Sequence, residues 1–161
     1  MMGILLILIN LFMNDDFGGG KMSKIFVDSS FIIPLFRKND SNHELVKRNR
    51  EILDNNECYI SNGVLNEVMT VIAMRTKNIE LTELIYNYLN DNFTIINEYD
   101  ISDFNKKTFH IFKRYNKDSF KLSFIDCSQP IIIKEYDLDN ILSLDKDFKL
   151  FNDIYLFRLL Y

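Results

Sequence analysis

The chain is predicted to fold as an α/β protein, a three-layer α/β/α sandwich around a central, mostly parallel sheet. Three observations carry this expectation. Short aliphatic or β-branched runs at 24–27, 93–96, 140–144 and 154–157 are separated by longer stretches of helical period. Strands joined through helices pair in parallel, because a tight turn cannot return the chain to the same sheet edge. At 161 residues the chain makes one domain with enough length to bury a real core.

The elements follow in order. Residues 24–27, KIFV, alternate little between apolar and polar and read as a strand buried on both faces. Ser29 or Ser30 can cap the short helix that follows, with Pro34 tolerated near its first turn. Residues 41–54 read as a charged helix. Residues 62–76 read as an amphipathic helix with Val64, Leu65, Val68, Met69, Val71 and Ile72 on its apolar side. Residues 80–91 and 101–116 give two more helices. Ser123 and Asp126 have capping-box spacing and open a helix reaching about residue 136. A short helix is expected at 146–152.

The first twenty-one residues stand apart. MMGILLILINLFM is apolar but shorter than the roughly 20 residues that span a bilayer. It lacks a basic flank and a small-residue cleavage site, so it makes a poor signal peptide. Because a Gly run precedes Met22, translation is expected to start at Met22, with residues 1–21 outside the fold and 22–161 forming a single domain. A peripheral membrane anchor is the alternative.

Composition narrows the function. A hydrophobic content of 47% with 14 Phe and 8 Tyr describes a globular protein rather than a disordered one. The formal charge is −4, and −3 for residues 22–161, where 18 basic and 21 acidic residues remain. That does not favour a protein wrapped electrostatically in nucleic acid, but it allows an enzyme that touches a short stretch of one. Lys106, Lys107, Lys113, Arg114, Lys117 and Lys121 form a local basic run, read first as a solvated helix face. Cys58 and Cys127 are far apart and lack CxxC spacing, which predicts reduced thiols and a cytoplasmic location. His43 and His110 are isolated and offer no ligand spacing or triad.

Four acidic residues beside apolar segments are the candidate site: Asp28, Glu67, Asp126 and Asp145. Asp28 and Asp145 follow strand-like runs, and in open α/β sheets sites form at the carboxyl ends of strands. Each also has an ordinary explanation. Asp28 could cap a helix, although Ser29 and Ser30 already offer hydroxyls. Asp126 could be only the capping-box partner of Ser123, and Asp145 could lie in a surface turn with Asp147. Glu67 is the most telling, since at about 100° per residue it falls between Val71 and Met74 at the border of the apolar arc. Carboxylates drawn together from distant segments repel unless a cation holds them, and a hard divalent ion is the usual one.

The segments VDSSFIIPLF, ISNGVLNEV, LSFIDCS and ILSLDKDF, in this order, resemble the PIN-domain family, especially the toxin ribonucleases of VapBC-type toxin–antitoxin modules. They cover nearly all of residues 24–151. The resemblance implies a metal-dependent endoribonuclease with Asp28, Glu67, Asp126 and Asp145 as its acidic site. It implies Mg²⁺, with Mn²⁺ as a substitute, as the cofactor. It also implies an RNA substrate, a homodimer and an antitoxin partner. A housekeeping RNA-processing nuclease and a non-cleaving RNA-binding module are the alternatives. Ser30 is expected to orient Asp28, and Lys or Arg side chains near residues 113–121 to hold RNA phosphates. The chain departs from the family where Gln129 and Pro130 replace a small apolar residue and Cys127 replaces a common Ala. Pro130 cannot donate to the Asp126 carbonyl. It is expected to kink the helix at a cost of about 3 kcal/mol, disturbing Asp126.

Overall fold

The computed structural model describes residues 22–119, 121–151 and 158–160, the last three by their backbone alone. Five strands form one sheet: β1 (Lys24–Val27), β2 (Glu57–Ser61), β3 (Thr94–Ile96), β4 (Asn140–Leu142) and β5 (Arg158–Leu160). Their order is β3-β2-β1-β4-β5, and every pair is parallel. The expected α/β architecture with helices flanking a parallel sheet is therefore observed.

Strand β1 is the centre. Its Ile25, Phe26 and Val27 are all fully buried, and Phe26 is in register with Tyr59 of β2 and Ile141 of β4. A residue of this kind loses both faces to the core, worth about 1.5–3 kcal/mol per large apolar side chain.

The helices divide by connection. Between β1 and β3 lie α1 (Ser29–Phe36), α2 (His43–Arg48), α3 (Glu51–Asp54), α4 (Asn62–Thr76) and α5 (Ile79–Asn92). Helix α1 packs on α2 and α4, and α4 packs on α5. Between β3 and β4 lie α6 (Phe104–Tyr115) and α7 (Phe124–Glu135), which pack on each other. Right-handed crossovers place these two groups on opposite faces, because the chain leaves β1 toward β2 and later returns to its other side at β4. The gap between β1 and β4 is thus the topological switch point, where the carboxyl ends of the strands open a crevice.

Several expectations need correction. Strand β2 was not anticipated. The expected helix over 41–54 is two short helices, α2 and α3, interrupted at Asn49. The strand at 140–144 ends at Leu142, and the expected strand at 154–157 lies outside the described residues, with β5 found just beyond it. Pro34 stands in the second turn of α1 rather than the first, and its carbonyl is 2.7 Å from His43 Nδ1, which must donate to it. Helix α7 runs unbroken through the buried Pro130. The proline withdraws a donor from the Asp126 carbonyl, but the Asp126 side chain is fixed from the other direction, by the helix start. Among the described residues no helix is long and apolar enough to cross a membrane.

Candidate active site

Asp28 follows β1 directly, and its backbone N–H continues the ladder to Leu142 O of β4 at 3.0 Å. The residue is extended (φ −81°, ψ 155°) and is itself the N-cap of α1. This corrects the expectation that Ser29 or Ser30 would cap the helix and leave Asp28 to the cleft. The serines instead serve the carboxylates. Asp28 Oδ2 accepts from Ser30 N at 3.2 Å, Ser30 Oγ at 2.5 Å and Ser143 Oγ at 2.9 Å, while Oδ1 accepts from Gln129 Nε2 at 2.7 Å. Asp28 is only 3% exposed, so its oxygens are satisfied by these donors rather than by bulk water.

Strand β4 supplies the facing wall. Ser143 is fully buried, and its Oγ accepts from Asp145 N at 3.0 Å. Ser30 Oγ accepts from Leu144 N at 3.0 Å. The two hydroxyls face Asp28 and each other, 3.1 Å apart, and each accepts from the turn that carries Asp145. Ser30 thus contacts the Asp28 carboxylate, and it has a counterpart in Ser143 that the sequence did not reveal. Asp145 closes its own turn by accepting from Asp147 N through Oδ1 at 2.8 Å.

Asp126 is the third residue of α7. Ser123 Oγ accepts from Asp126 N at 3.0 Å and Asp126 Oδ2 accepts from Ser123 N at 2.7 Å, a complete capping box. The capping role and a site role are compatible, because only Oδ2 is committed. The approach to α7 is braced by buried Asn116, whose side chain donates to Leu122 O at 2.9 Å and accepts from Lys121 N and Leu122 N. Glu67 projects from the second turn of α4 and is half-buried, with the Ser29 side chain nearby favouring its charged form.

The four carboxylates act on one another through space. Burial raises the Glu67 pKa; the Ser29 side chain offsets part of this, and the charges of Asp28 and Asp126 add to it. Burial likewise raises Asp126, against its bonds to Ser123, with Asp28 and Asp145 contributing in the same direction. Asp126 thus links Glu67 and Asp28 on one side to Asp145 on the other.

Among the described residues no three His, Cys, Asp or Glu side chains form a ready-made cluster able to hold a metal ion. A Mg²⁺-type ion does not require one, since it takes one or two carboxylates and keeps several waters. The donor set fits that chemistry. It is all oxygen, it is mutually repulsive, and Asp126 and Asp145 each keep an oxygen not engaged by the backbone. A groove of about 470 Å³ adjoins Glu67, lined also by Gly63, Glu98, Tyr99, Phe124 and Ser128.

The raised carboxyls make stability depend on pH in a definite sense. Glu67 and Asp126 bind protons more tightly folded than unfolded. The resulting stabilisation is present below the ordinary carboxylate range, about pH 4, and is lost as pH rises through the raised folded values. Glu67→Gln is therefore expected to raise the Tm of metal-free protein near neutral pH and to have little effect near pH 4. Thermal unfolding in EDTA across a pH series checks this; a lowered neutral-pH Tm would contradict the mutual repulsion.

A domain of this architecture, with Asp28 at the β1–β4 switch point, belongs to a defined class of parallel α/β sandwich. The family model for the PIN domain matches residues 25–153, and the chain belongs to that family. VapC20 of Mycobacterium tuberculosis, a sarcin–ricin loop cleaving toxin, is similar with a TM-score of 0.66 and 21% identity, over 78% of this chain and 93% of that one. VapBC2 from Rickettsia felis, solved with a DNA fragment from its promoter, gives 0.59 and 12%, over 84% and 96%. FitAcB from Neisseria gonorrhoeae gives 0.50 and 14%, over 83% and 96%. At these identities the likeness is one of fold. No curated protein sequence matches the chain.

Proposed function

We propose that the protein is a metal-dependent endoribonuclease that hydrolyses RNA phosphodiester bonds and serves as the toxin of a toxin–antitoxin pair. One observation carries the reading. Carboxylates from four separate segments act on one another, Asp28 and Asp126 on Glu67 and Asp28 and Asp145 on Asp126, with Asp28 at the carboxyl end of β1 in a PIN domain. The toxin role and the antitoxin partner are supported by the likeness to VapC20, VapBC2 and FitAcB. A homodimer follows from the family resemblance.

Asp28, Asp126, Asp145 and Glu67 would hold a Mg²⁺ or Mn²⁺ ion. When bound, the ion supplies Lewis acidity for activating water and for offsetting negative charge at phosphorus. The chain's own residues prepare the site. Ser30 and Ser143 hold the Asp28 carboxylate in one orientation, and the Ser123 capping box does the same for Asp126. Lys113, Arg114, Lys117 and Lys121 are exposed along the end of α6 and the loop that leads into Ser123, where they can hold phosphates of a bound strand.

The test is cleavage of bulk RNA by purified protein with Mg²⁺ or Mn²⁺, and its loss in EDTA. Mg²⁺ is also expected to raise the Tm at neutral pH by mass action, by about 2.7 kcal/mol of stability at a hundredfold excess over Kd. Cleavage that persists in EDTA, or a Tm indifferent to both ions, would sink the metal-dependent reading.

A further inference from the structure

Gln129 is a polar side chain in an apolar place. It is 0% exposed, in a helix segment where Cys127, Pro130, Ile131, Ile132 and Ile133 are also buried. Its Nε2 donates to Asp28 Oδ1, 101 residues away in sequence, at 2.7 Å. Its Oε1 is buried and has no hydrogen-bonding partner among the described residues. A Leu or Met would fill the same volume without stranding an oxygen, so packing does not explain the amide. Its orientation follows from the Asp28 contact, since the reversed amide would set oxygen against carboxylate.

The consequence lies in the lone pairs of Asp28. Oδ2 faces three donors, Ser30 N, Ser30 Oγ and Ser143 Oγ, and even with one hydroxyl turned to the other, 3.1 Å away, two of them remain to fill its two lone pairs. Oδ1 accepts one, from Gln129. One lone pair remains on the whole carboxylate. A carboxylate that bridges two cations must give each of them a lone pair.

We propose that Gln129 is a positioning residue for Asp28, and that it limits Asp28 to giving one oxygen to one cation. The inference rests on the metal-dependent reading above and goes beyond it, assigning a job to a residue outside the acidic set and setting how many ions Asp28 can touch.

Two measurements on the intact protein test it. The first is an EPR spectrum and spin count with Mn²⁺ as the probe. A six-line, uncoupled signal that is lost in Asp28→Asn is expected. A spin-coupled Mn²⁺ pair that disappears in Asp28→Asn overturns the one-ion limit while leaving metal dependence standing. No Mn²⁺ binding at all overturns the metal reading and this inference with it. The second follows the Gln129 side-chain amide in ¹H–¹⁵N spectra during Mg²⁺ titration, with the resonance assigned by its absence in Gln129→Met or Gln129→Leu. The amide is expected to shift with Mg²⁺ and saturate with the metal-induced Tm change. An amide indifferent to Mg²⁺ reduces Gln129 to packing and overturns the positioning role. Either folded variant is also expected to lose about tenfold in kcat with KM for RNA nearly unchanged; an unchanged kcat counts against the role.

Discussion

Asp28→Asn is expected to lower RNA cleavage by more than about 100-fold, the scale set by even outer-shell changes at metal sites, while the domain stays folded. The functional loss follows from charge. Asp28 is the carboxylate felt by both Glu67 and Asp126, and it is the most deeply buried of the four. Removing its charge takes a buried carboxylate out of the place where a cation would sit. The fold survives because the substitution can be absorbed locally. An Asn at 28 keeps an oxygen for the Ser30 and Ser143 hydroxyls and for the Ser30 N–H that caps α1. Its amide nitrogen would then meet Gln129, which can turn over and accept through the oxygen that is otherwise stranded. The structural cost should therefore stay within about 1–3 kcal/mol. Cleavage assays and thermal unfolding on the same preparation check both halves. Retained cleavage would remove Asp28 from the site, and an unfolded product would show that its role is chiefly structural.

The sheet order and the acids were legible to different degrees for physical reasons. Strand β1 declared itself because Ile25, Phe26 and Val27 are buried on both faces and so form an unbroken apolar run. Strand β2 did not. Its ECYIS has a polar residue at each end and an intermediate Tyr59, and Asn-rich segments flank it. What makes it a strand is its position between β1 and β3, a tertiary fact. Helix α4 was legible because fifteen residues gave periodicity room to show. The 41–54 stretch carried a helical pattern as well, but Asn49 and Asn55 end its two short turns.

Within the site, residues near each other in the chain could be paired from sequence and distant ones could not. The Ser123–Asp126 box was visible because a capping box is a spacing of three. Ser143 and Gln129 were not assigned roles, because their partner Asp28 is 115 and 101 positions away. Gln129 left only an indirect mark, as an amide where an apolar residue was expected. Pro130, beside it, suggested trouble for Asp126. The lost backbone bond does not decide the orientation, because the side-chain clamp holds Asp126 from the N-terminal side.

Glu98 is the residue most completely hidden from sequence, and its removal should have the largest effect on stability among the polar substitutions considered. It lies just after β3, is 4% exposed, and grips the start of α4 with both oxygens. Oε2 accepts from Asn62 N at 3.0 Å and Oε1 from Gly63 N at 2.7 Å, while Ser61 Oγ takes Val64 N at 3.2 Å. The first three N–H groups of α4 are thereby satisfied, and a negative charge stands at the positive end of the helix. The fit is close enough that a Cβ at Gly63 would lie 3.2 Å from Glu98 Oε1, so glycine suits this approach. Glu98→Ala strips two part-buried donors of a charged acceptor and should cost about 3 kcal/mol, or roughly 10 °C in Tm for a domain of this size. Because α4 carries Glu67 in its second turn, cleavage should fall as well, measured well below the lowered Tm. Glu98→Gln keeps one acceptor and turns the other into a donor facing an N–H, so it should lose an intermediate amount. Asp100→Ala is the control, since exposed Asp100 accepts only from Asn97 Nδ2 and should shift Tm by little. Equal Tm values for Glu98→Ala and Asp100→Ala would show that α4 keeps its place, and Glu67 with it, without the Glu98 clamp.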